Sequence, residues 1–376
     1  MPTPRGYAVL AAGLALGVAG WALGYPELAV LSTGCLAALT VSGCWLLASF
    51  SLRITREIAP VKVPRGDPAV ATVRVANIGR RATRPLVAVD RCGGQEVAVP
   101  LPGIARGGAR FASYRLPTAR RGEIAVGPLL VLSCDPLGLF RRVRVYGEPG
   151  TLLVRPRTAP LPVLPSGRVA SLEGPTSDTA PSGTVTFHAL REYVLGDDLR
   201  HIHWRTTART GTLMVRQLVD SSLPVTVVIL DTRPVCYLGD DFDIAVDAAA
   251  TVAAGMATAG FPVTLLTAAG GRFDTRSSRG AQDLLDWLAR LPASADGELG
   301  AALEVARRLT TAASLTVVTG TATDLSSERL AAASRTFERM TVIRAGRHPG
   351  ARLVLPATCV DAASAQDVAA AWRRQR

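Results

Sequence analysis

The sequence predicts a membrane-anchored multidomain protein with an N-terminal transmembrane helical hairpin, an antiparallel β-sandwich and a C-terminal doubly wound α/β domain. Three patterns along the 376 residues support this prediction. Two long uncharged spans come first, short runs of alternating apolar residues follow, and the last part alternates strand-like and helix-like segments. We place the domain limits at 1–52 (hairpin), 53–157 (sandwich), 158–186 (linker), 187–220 (charged segment) and 221–376 (α/β domain).

Composition narrows the class of protein. A mean hydropathy of +0.25 with only 5% aromatic residues indicates concentrated aliphatic segments, as membrane spans produce. The net charge of +12 is almost wholly arginine, because Lys62 is the only lysine. Codon bias in a high-GC genome, an anionic membrane surface and an acidic partner all explain that charge. No zinc-finger spacing, RNP-like motif or helix-turn-helix indicates nucleic-acid binding, and six cysteines without a CxxC pair favour a reducing compartment.

The N-terminal hairpin is predicted from two spans, 6–26 and 28–52, that contain no charged residue. Each reaches the ~20 residues that cross a ~30 Å hydrocarbon core, and the turn between them contains Glu27. The pairs Gly13 with Gly17, and Gly20 with Gly24, have the small-xxx-small spacing that lets membrane helices approach closely.

Flanking cations predict the orientation of this hairpin in the inner or plasma membrane. Arg5 precedes the first span, whereas Arg53, Arg56, Lys62 and Arg65 follow the second, and the turn has none. By the positive-inside rule both termini and the soluble domains are cytoplasmic. The alternative is a cleaved signal peptide, but the first span has a weak n-region and no A-x-A site.

Runs of period two predict the β-sandwich, which has immunoglobulin-like size: 71–77, 86–90, 96–99, 109–116 and 129–132. Five prolines between 160 and 181 then mark an extended linker. After it, 225–230 is a continuous apolar run, as in a buried parallel strand, and ends at Asp231.

The α/β pattern continues from this strand to the C-terminus. We expect strands at 263–267, 315–319, 340–344 and near Leu353, and helices at 242–259, 281–291, 299–310, 326–337 and up to Trp372. Ligands of such sheets bind beyond the carboxyl ends of strands, here 231–233 and 319–324.

The charged segment carries the candidate functional residues. Arginines (Arg191, Arg200, Arg205, Arg209, Arg216) alternate with acidic residues (Glu192, Asp197, Asp198, Asp220). An ion-pair network that clamps the segment onto the α/β domain explains this pattern, and so does a protein-binding surface. If 200–205 forms a strand, His201, His203 and Arg205 share one face. The two histidines near Asp197 and Asp198 also suggest a metal site, which requires three or four converging ligands.

The same segment carries a family resemblance. REYVLGDDLRHIHWRTTARTGTLMVRQ resembles the signature of the domain of unknown function family 58, with His203 where the family often has Asp. The matching positions are Arg191, Glu192, Tyr193, Gly196, Asp197, Asp198, Arg200, Ile202, Trp204, Ala208, Arg209, Leu213, Val215 and Arg216. Upstream, 121–123 and the Asp135-Pro-Leu-Gly-Leu-Phe140 run are similar to the passage before this domain in many members, and so is the N-terminal hairpin.

The resemblance implies a von Willebrand factor A-like fold in the C-terminal half and a MoxR-type AAA+ ATPase as partner. The A fold holds its metal with D-x-S-x-S, but Arg233 and Val235 stand at the two serine positions here. We therefore expect a degenerate site, whose only candidate ligands are Asp231, Thr319 and Asp324, and no cofactor.

These observations lead to a non-enzymatic adaptor as the expected function. No phosphate loop and no nucleophile with a recognisable base is present. The expected partner-binding or ion-pair residues are Arg191, Glu192, Tyr193, Asp197, Asp198, Arg200, Trp204, Arg209 and Arg216. One alternative is a metal-dependent hydrolase that uses Asp197, Asp198, His201 and His203, and another is a purely structural envelope scaffold.

Overall fold

The computed structural model describes residues 1–47, 51–161, 185–194, 202–220, 225–275, 279–309, 314–323, 328–348 and 357–374. The chain divides into two compact units, Met1–Arg155 and Pro156–Arg376. The hairpin and the predicted sandwich therefore belong to one unit. Most of the predicted linker, 162–184, lies outside the described residues.

Two apolar helices open the first unit, α1 (Pro4–Leu23) and α2 (Pro26–Leu47). Thr3 caps α1 by accepting a hydrogen bond from the Gly6 amide at 3.1 Å, and Gly24, at φ 68°, ends that helix. Both helices have the length and the apolar composition to span a membrane. Their large side chains, such as Val18 and Trp21, are mostly exposed.

Glycines form the contact between α1 and α2. A β-carbon on Gly13 would lie 2.9 Å from Cys35 Cβ, and one on Gly20 would lie 3.0 Å from the Ala29 amide nitrogen. The Ser32 hydroxyl donates to the Gly13 carbonyl at 2.7 Å, so the close approach also satisfies a polar group. Gly24 ends the helix and has no neighbour of this kind.

The loop at 135–140 joins the hairpin to the sheets of this unit. The Asp135 carboxylate accepts from the Phe140 amide at 2.6 Å and from the Leu137 amide at 3.1 Å, which folds the loop. The Thr3 hydroxyl donates to the Gly138 carbonyl at 2.6 Å. A β-carbon on Gly6 would lie 2.2 Å from the Leu139 carbonyl oxygen, so the start of α1 fits against the loop only with glycine there.

Two sheets complete the first unit. One has the order β1-β3-β6, and the other has the order β2-β10-β7-β4-β8-β9 with β5 paired to β4. The strands are β1 Leu52–Ala59, β2 Lys62–Pro64, β3 Val70–Asn77, β4 Leu86–Cys92, β5 Gln95–Leu101, β6 Ala109–Arg115, β7 Gly122–Val126, β8 Leu129–Cys134, β9 Arg141–Tyr146 and β10 Gly150–Arg155. The five runs expected from the sequence correspond to β3, β4, β5, β6 and β8.

Both sheets contribute to one buried cluster. Val73 and Val75 of β3 meet Val131 of β8 and Val154 of β10 there. The same interior holds Asp90, which is fully buried. Arg56 Nη1 donates to Asp90 Oδ1 at 3.1 Å and to Oδ2 at 3.0 Å, and the Tyr114 hydroxyl also donates to Oδ2. Burial of this charge is tolerated because each oxygen has a donor.

The α/β unit contains a six-stranded sheet of order β15-β14-β13-β16-β17-β18. Its strands are β13 Thr226–Leu230, β14 Val263–Thr267, β15 Arg272–Thr275, β16 Ser314–Gly320, β17 Arg339–Ala345 and β18 Thr358–Ala362. All pair in parallel except β15, an antiparallel edge strand that the sequence prediction missed. The strand expected near Leu353 lies outside the described residues, and the last strand of the sheet is β18.

Helices cover both faces of this sheet. Alternate residues of β13 enter different clusters: Val228 and Leu230 pack with one set of helices, and Val227 and Ile229 pack with the other. The first set is α4 (Phe242–Thr258), α5 (Gly280–Arg290) and α8 (Ala365–Arg374), and the second is α6 (Leu299–Arg308) and α7 (Glu328–Thr336). A further helix, α3 (Trp204–Thr210), lies within the charged segment.

The glycine contact between α1 and α2 yields a stability prediction. Gly20→Leu forces a side chain onto the backbone of Ala29, and such overpacking costs about 1–3 kcal/mol. We expect a lower thermal midpoint for the full chain in detergent micelles. The matched control is Gly34→Leu, because no heavy atom lies within 4 Å of a β-carbon at Gly34. Equal midpoints for the two variants would contradict the observed helix contact.

Candidate functional site

The carboxyl end of β13 is the first candidate site. All five residues of β13 are buried, and Asp231, which follows directly, is fully buried as well. In doubly wound sheets the ligand crevice opens at this edge, between the strand where the chain order reverses and its neighbour. Here that neighbour is β16, which ends with Thr319 and Gly320.

The Asp231 carboxylate is held by the guanidinium of Arg233. Arg233 Nε donates to Oδ1 at 3.0 Å and Nη2 donates to Oδ2 at 2.8 Å, a bidentate pair. The Arg233 amide also donates to Oδ1 at 3.2 Å. This pairing neutralises the buried charge within two residues of the strand end.

Further donors reach the same carboxylate from two directions. The Thr319 hydroxyl donates to Oδ2 at 2.9 Å and the Cys236 thiol donates to Oδ2 at 3.3 Å. The Tyr237 hydroxyl donates to the Asp231 carbonyl. Thr319 also lies 2.6 Å from the Thr323 hydroxyl. Together these bonds hold 231–237 against β16.

Electrostatics match this geometry. Burial alone raises the pKa of Asp231, but the hydrogen bonds from Arg233 and Cys236 and the Arg233 charge outweigh it, so the pKa is lowered. The pKa of Arg233 is raised, chiefly by its hydrogen bond to Asp231. Burial raises the pKa of the Cys236 thiol, which keeps it protonated as a donor.

This arrangement leaves few ligating atoms available to a metal ion. The Arg233 guanidinium binds both oxygens of Asp231, where a cation would bind. Val235 is 79% exposed and has no ligating atom, and Asp324 lies outside the described residues. Across the described ranges, no group of three or more His, Cys, Asp or Glu side chains could hold a metal. The contacts of Asp231 with Arg233, Cys236 and Thr319, which we call the Asp231 lock, therefore hold this edge of the sheet together.

Sequence reasoning identified Asp231, Arg233 and Thr319 at this edge but missed Cys236, Tyr237 and Thr323. The 3₁₀ turn Pro234–Cys236 brings Cys236 and Tyr237 back to the strand end. No residue type or spacing in 231–237 indicates that return. Gly320 is a further requirement, because a β-carbon there would lie 1.8 Å from the Cys236 carbonyl oxygen.

The charged segment forms a second candidate site. Strands β11 (Val185–Glu192) and β12 (Met214–Asp220) pair antiparallel, with Arg191 opposite Val215 and Arg216 opposite Leu190. Of the expected site residues between the strands, Asp197, Asp198, Arg200 and His201 lie outside the described residues. Glu192 is exposed, Tyr193 is half-buried, and the Tyr193 amide donates to the Leu213 carbonyl at 2.8 Å.

A strand does not extend through 204–205, because Trp204–Thr210 is a helix, α3, whereas 200 and 201 lie outside the described residues. His203 is its N-cap: Nδ1 accepts from the Thr206 amide at 3.2 Å and lies 2.7 Å from the Thr206 hydroxyl. Gly211, at φ 73°, ends the helix. A capping bond to the backbone three residues on outcompetes the extended conformation that polar and apolar alternation suggested.

One face of α3 is exposed. Trp204 is 66% exposed, and Arg205, Ala208 and Arg209 are exposed beside it at helical spacing. The opposite side holds the helix to β12, since the Thr207 hydroxyl accepts from the Met214 amide at 3.0 Å and the His203 amide donates to the Met214 carbonyl at 2.8 Å. We call Trp204, Arg205, Ala208 and Arg209 the Trp204 surface.

Comparison with known proteins now identifies the family. Residues 189–349, which include the Trp204 surface and the Asp231 edge, match the family model "Protein of unknown function DUF58". Residues 189–349 therefore belong to the DUF58 family. The resemblance recognised in 191–216 is thereby confirmed. None of the curated proteins matches the chain.

Solved structures resemble parts of this chain only distantly. The CARDB domain of the PF1109 protein from Pyrococcus furiosus, in complex with di-metal ions, is 15% identical over 28% of this chain and 93% of that chain, with a TM-score of 0.21. The putative ApaA protein from Bordetella pertussis is 17% identical over 29% of this chain and 96% of its own, with a TM-score of 0.20. These scores carry no inference about fold or ligand.

The Asp231 lock predicts a pH-dependent effect of Arg233→Ala. The variant leaves a buried carboxylate without its cation, which costs about 3 kcal/mol at pH 7. In the wild type the lowered pKa of Asp231 stabilises the fold above about pH 4, and this contribution disappears as the pH falls through the folded pKa. In the variant burial raises the pKa of Asp231, so protonation relieves the penalty and the gap from wild type narrows towards pH 4.

Calorimetry of the full chain in detergent from pH 4 to pH 8 measures this gap. The control is Arg272→Ala, because the Arg272–Asp274 pair at 2.9 Å is partly exposed and is worth at most about 1 kcal/mol. A small gap for Arg233→Ala would show that the guanidinium does not stabilise Asp231. A large gap that is constant with pH would show that its effect does not depend on the charge of Asp231.

Proposed function

We propose that this DUF58 protein is a membrane-anchored, non-enzymatic adaptor whose Trp204 surface binds a MoxR-type AAA+ ATPase. The carrying observation is the exposed face of α3 within the family signature. Two apolar helices that could span a membrane support the anchor. Cations that flank this hairpin and are absent from its turn support cytoplasmic termini and cytoplasmic soluble domains.

The chemistry of the Trp204 surface suits protein binding. Tryptophan and arginine are the residues most enriched where interfaces gain their energy, because both bury a large area with directional polar groups. An indole that is 66% exposed has much apolar area left to bury. Within the described part of the chain, Arg205 and Arg209 form no ion pair, which leaves both guanidinium groups available for carboxylates of a partner.

The same surface is rigidly supported, which lowers the entropy cost of binding. Ile202 is buried and bridges to Val215 of β12, directly before the helix begins. With the His203 cap and the Gly211 end, α3 is fixed at both termini. These contacts favour α3 as a docking surface over α3 as part of an ion-pair network that holds the segment on the α/β domain. The ion-pair network around Asp197, Asp198 and Arg200 stays a prediction.

We further infer that the two units have the finer folds expected from the sequence. Two sheets around one buried cluster support a β-sandwich in the first unit. The strand order of the α/β sheet, 3-2-1-4-5-6 in its own numbering, supports a von Willebrand factor A-like domain with a closed metal position.

Co-purification from detergent tests the docking role. The wild-type protein is expected to capture the MoxR-type ATPase of its own organism, and Trp204→Ala with Arg209→Ala is expected to lower capture at least tenfold, about 1.4 kcal/mol or more. Thermal midpoints should stay unchanged because neither side chain is buried. The control is Val305→Ala with Arg308→Ala, an exposed apolar residue and an exposed arginine on α6. Equal capture by both double variants would refute docking through α3.

A metal analysis separates this proposal from hydrolysis with Asp197, Asp198, His201 and His203. That alternative requires a bound divalent ion, whereas the adaptor requires none. We expect no stoichiometric zinc or manganese in the purified full chain and no change of thermal midpoint with EDTA. One equivalent of metal, lost in a His201→Ala variant, would favour the hydrolase instead. The control variant is His348→Ala, outside the charged segment.

A further inference from the structure

The C-terminal end of α2 lies among arginine side chains. Arg84 Nη1 donates to the Trp45 carbonyl at 3.0 Å, and Arg142 Nη1 donates to the Leu46 carbonyl at 3.1 Å. The Arg84 guanidinium also lies 3.6 Å from the centre of the Trp45 indole ring. These contacts satisfy carbonyls that a helix end leaves without intrahelical donors.

A cavity of about 620 Å³ opens beside this helix end. Four arginines line it, Arg80, Arg81, Arg84 and Arg142, and no Asp or Glu is among its lining residues. The cavity is therefore positively charged and suited to an anion. Each guanidinium has five N–H donors, so Arg84 and Arg142 keep donors beyond those that bind the carbonyls.

Among the arginines that line the cavity, Arg80 and Arg81 have the charged groups that are least engaged in other contacts. Both are exposed, and in the described ranges neither forms an ion pair. The loop that carries them is held in place at the backbone, because Asn77 Nδ2 donates to the Arg81 carbonyl at 2.8 Å and the Asn77 carboxamide oxygen accepts from the Gly79 amide at 2.9 Å. The loop therefore presents both arginines without needing to reorganise.

An apolar groove of about 400 Å³ adjoins the charged cavity. Its lining consists of Thr40, Val41, Cys44, Trp45 and Arg84, and it shares Trp45 and Arg84 with the cavity. Thr40 to Trp45 belong to a helix long and apolar enough to cross a membrane. An anion site at the end of such a helix, continuous with an apolar groove along it, matches an amphiphile with an anionic head.

We propose that this cavity and groove form a binding site for an anionic phospholipid. The lipid belongs to the leaflet on the side of the C-terminal end of α2. The phosphate is held by Arg80, Arg81, Arg84 and Arg142, as planar guanidinium groups bind phosphate oxygens in pairs. One acyl chain lies along Val41 and Cys44. The proposal rests on the membrane anchor of the proposed function and is independent of ATPase binding.

Native mass spectrometry of the full chain released from detergent tests the site. Wild-type protein titrated with phosphatidylglycerol is expected to retain one lipid at concentrations where phosphatidylcholine is not retained. In Arg80→Gln with Arg81→Gln, retention should fall about tenfold or more, since each arginine adds to the attraction for anionic lipid. The control is Arg74→Gln with Arg115→Gln, two exposed arginines of β3 and β6 with the same change of charge. Equal losses in both variants would reduce the effect to net charge and overturn the site.

Two further measurements separate a lipid from a free anion. Cys44→Phe fills the groove without altering charge, so phosphatidylglycerol retention should fall severalfold. Inorganic phosphate at about 10 mM, on the order of the dissociation constant of a weak anion site, should leave lipid retention by the wild type unchanged. Free phosphate lacks the acyl chain that the groove binds. Full displacement by phosphate, or normal retention by Cys44→Phe, would overturn the lipid assignment.

Membrane extraction distinguishes a failure of this site from a failure of the anchor. If wild-type protein leaves membranes in alkaline carbonate, the anchor itself is wrong and the lipid site with it. If wild type and the Arg80, Arg81 double variant both stay in the membrane yet retain phosphatidylglycerol equally, only the lipid site is wrong. ATPase capture should be unaffected by the double variant in either case.

Discussion

The α/β unit depends on how one buried carboxylate is satisfied. Asp231 stands at the end of a strand with no exposed residue, and an uncompensated charge there would destabilise the edge of the sheet. Arg233, Thr319 and Cys236 all donate to it, so the loop after β13 and the end of β16 are joined through one side chain. Gly320 makes room for that loop, and no other residue would fit.

The same lock has a functional consequence. A crevice at the carboxyl end of a doubly wound sheet commonly holds a ligand or a cation, but the Arg233 guanidinium fills the position here. Charge compensation that comes from the chain itself removes the need for a bound ion. We propose that recognition takes place on an exposed surface instead, the face of α3 that carries Trp204 and Arg209.

Arginine also shapes the first unit, in three different environments. Arg56 balances the buried Asp90 inside the sheets, Arg84 and Arg142 satisfy the end of α2, and Arg80 and Arg81 remain exposed at a cavity without carboxylates. One residue type thus serves burial, helix termination and anion attraction, because its fork of donors binds carboxylates, carbonyls and phosphates alike. The composition alone shows an excess of arginine. The positions of these side chains show which groups the individual arginines contact.

The sequence by itself determined the elements that follow from period and composition. Charge-free spans predicted α1 and α2, a continuous apolar run predicted β13, and the charged signature predicted the family. Tertiary structure alone decided which side chains meet. The return of Cys236 and Tyr237 to Asp231 depends on a tight turn, and the helix at Trp204 depends on a capping bond. The arginine-lined cavity beside Trp45 depends on contacts between residues far apart in sequence. Local periodicity does not encode such contacts, because they arise when separate elements pack.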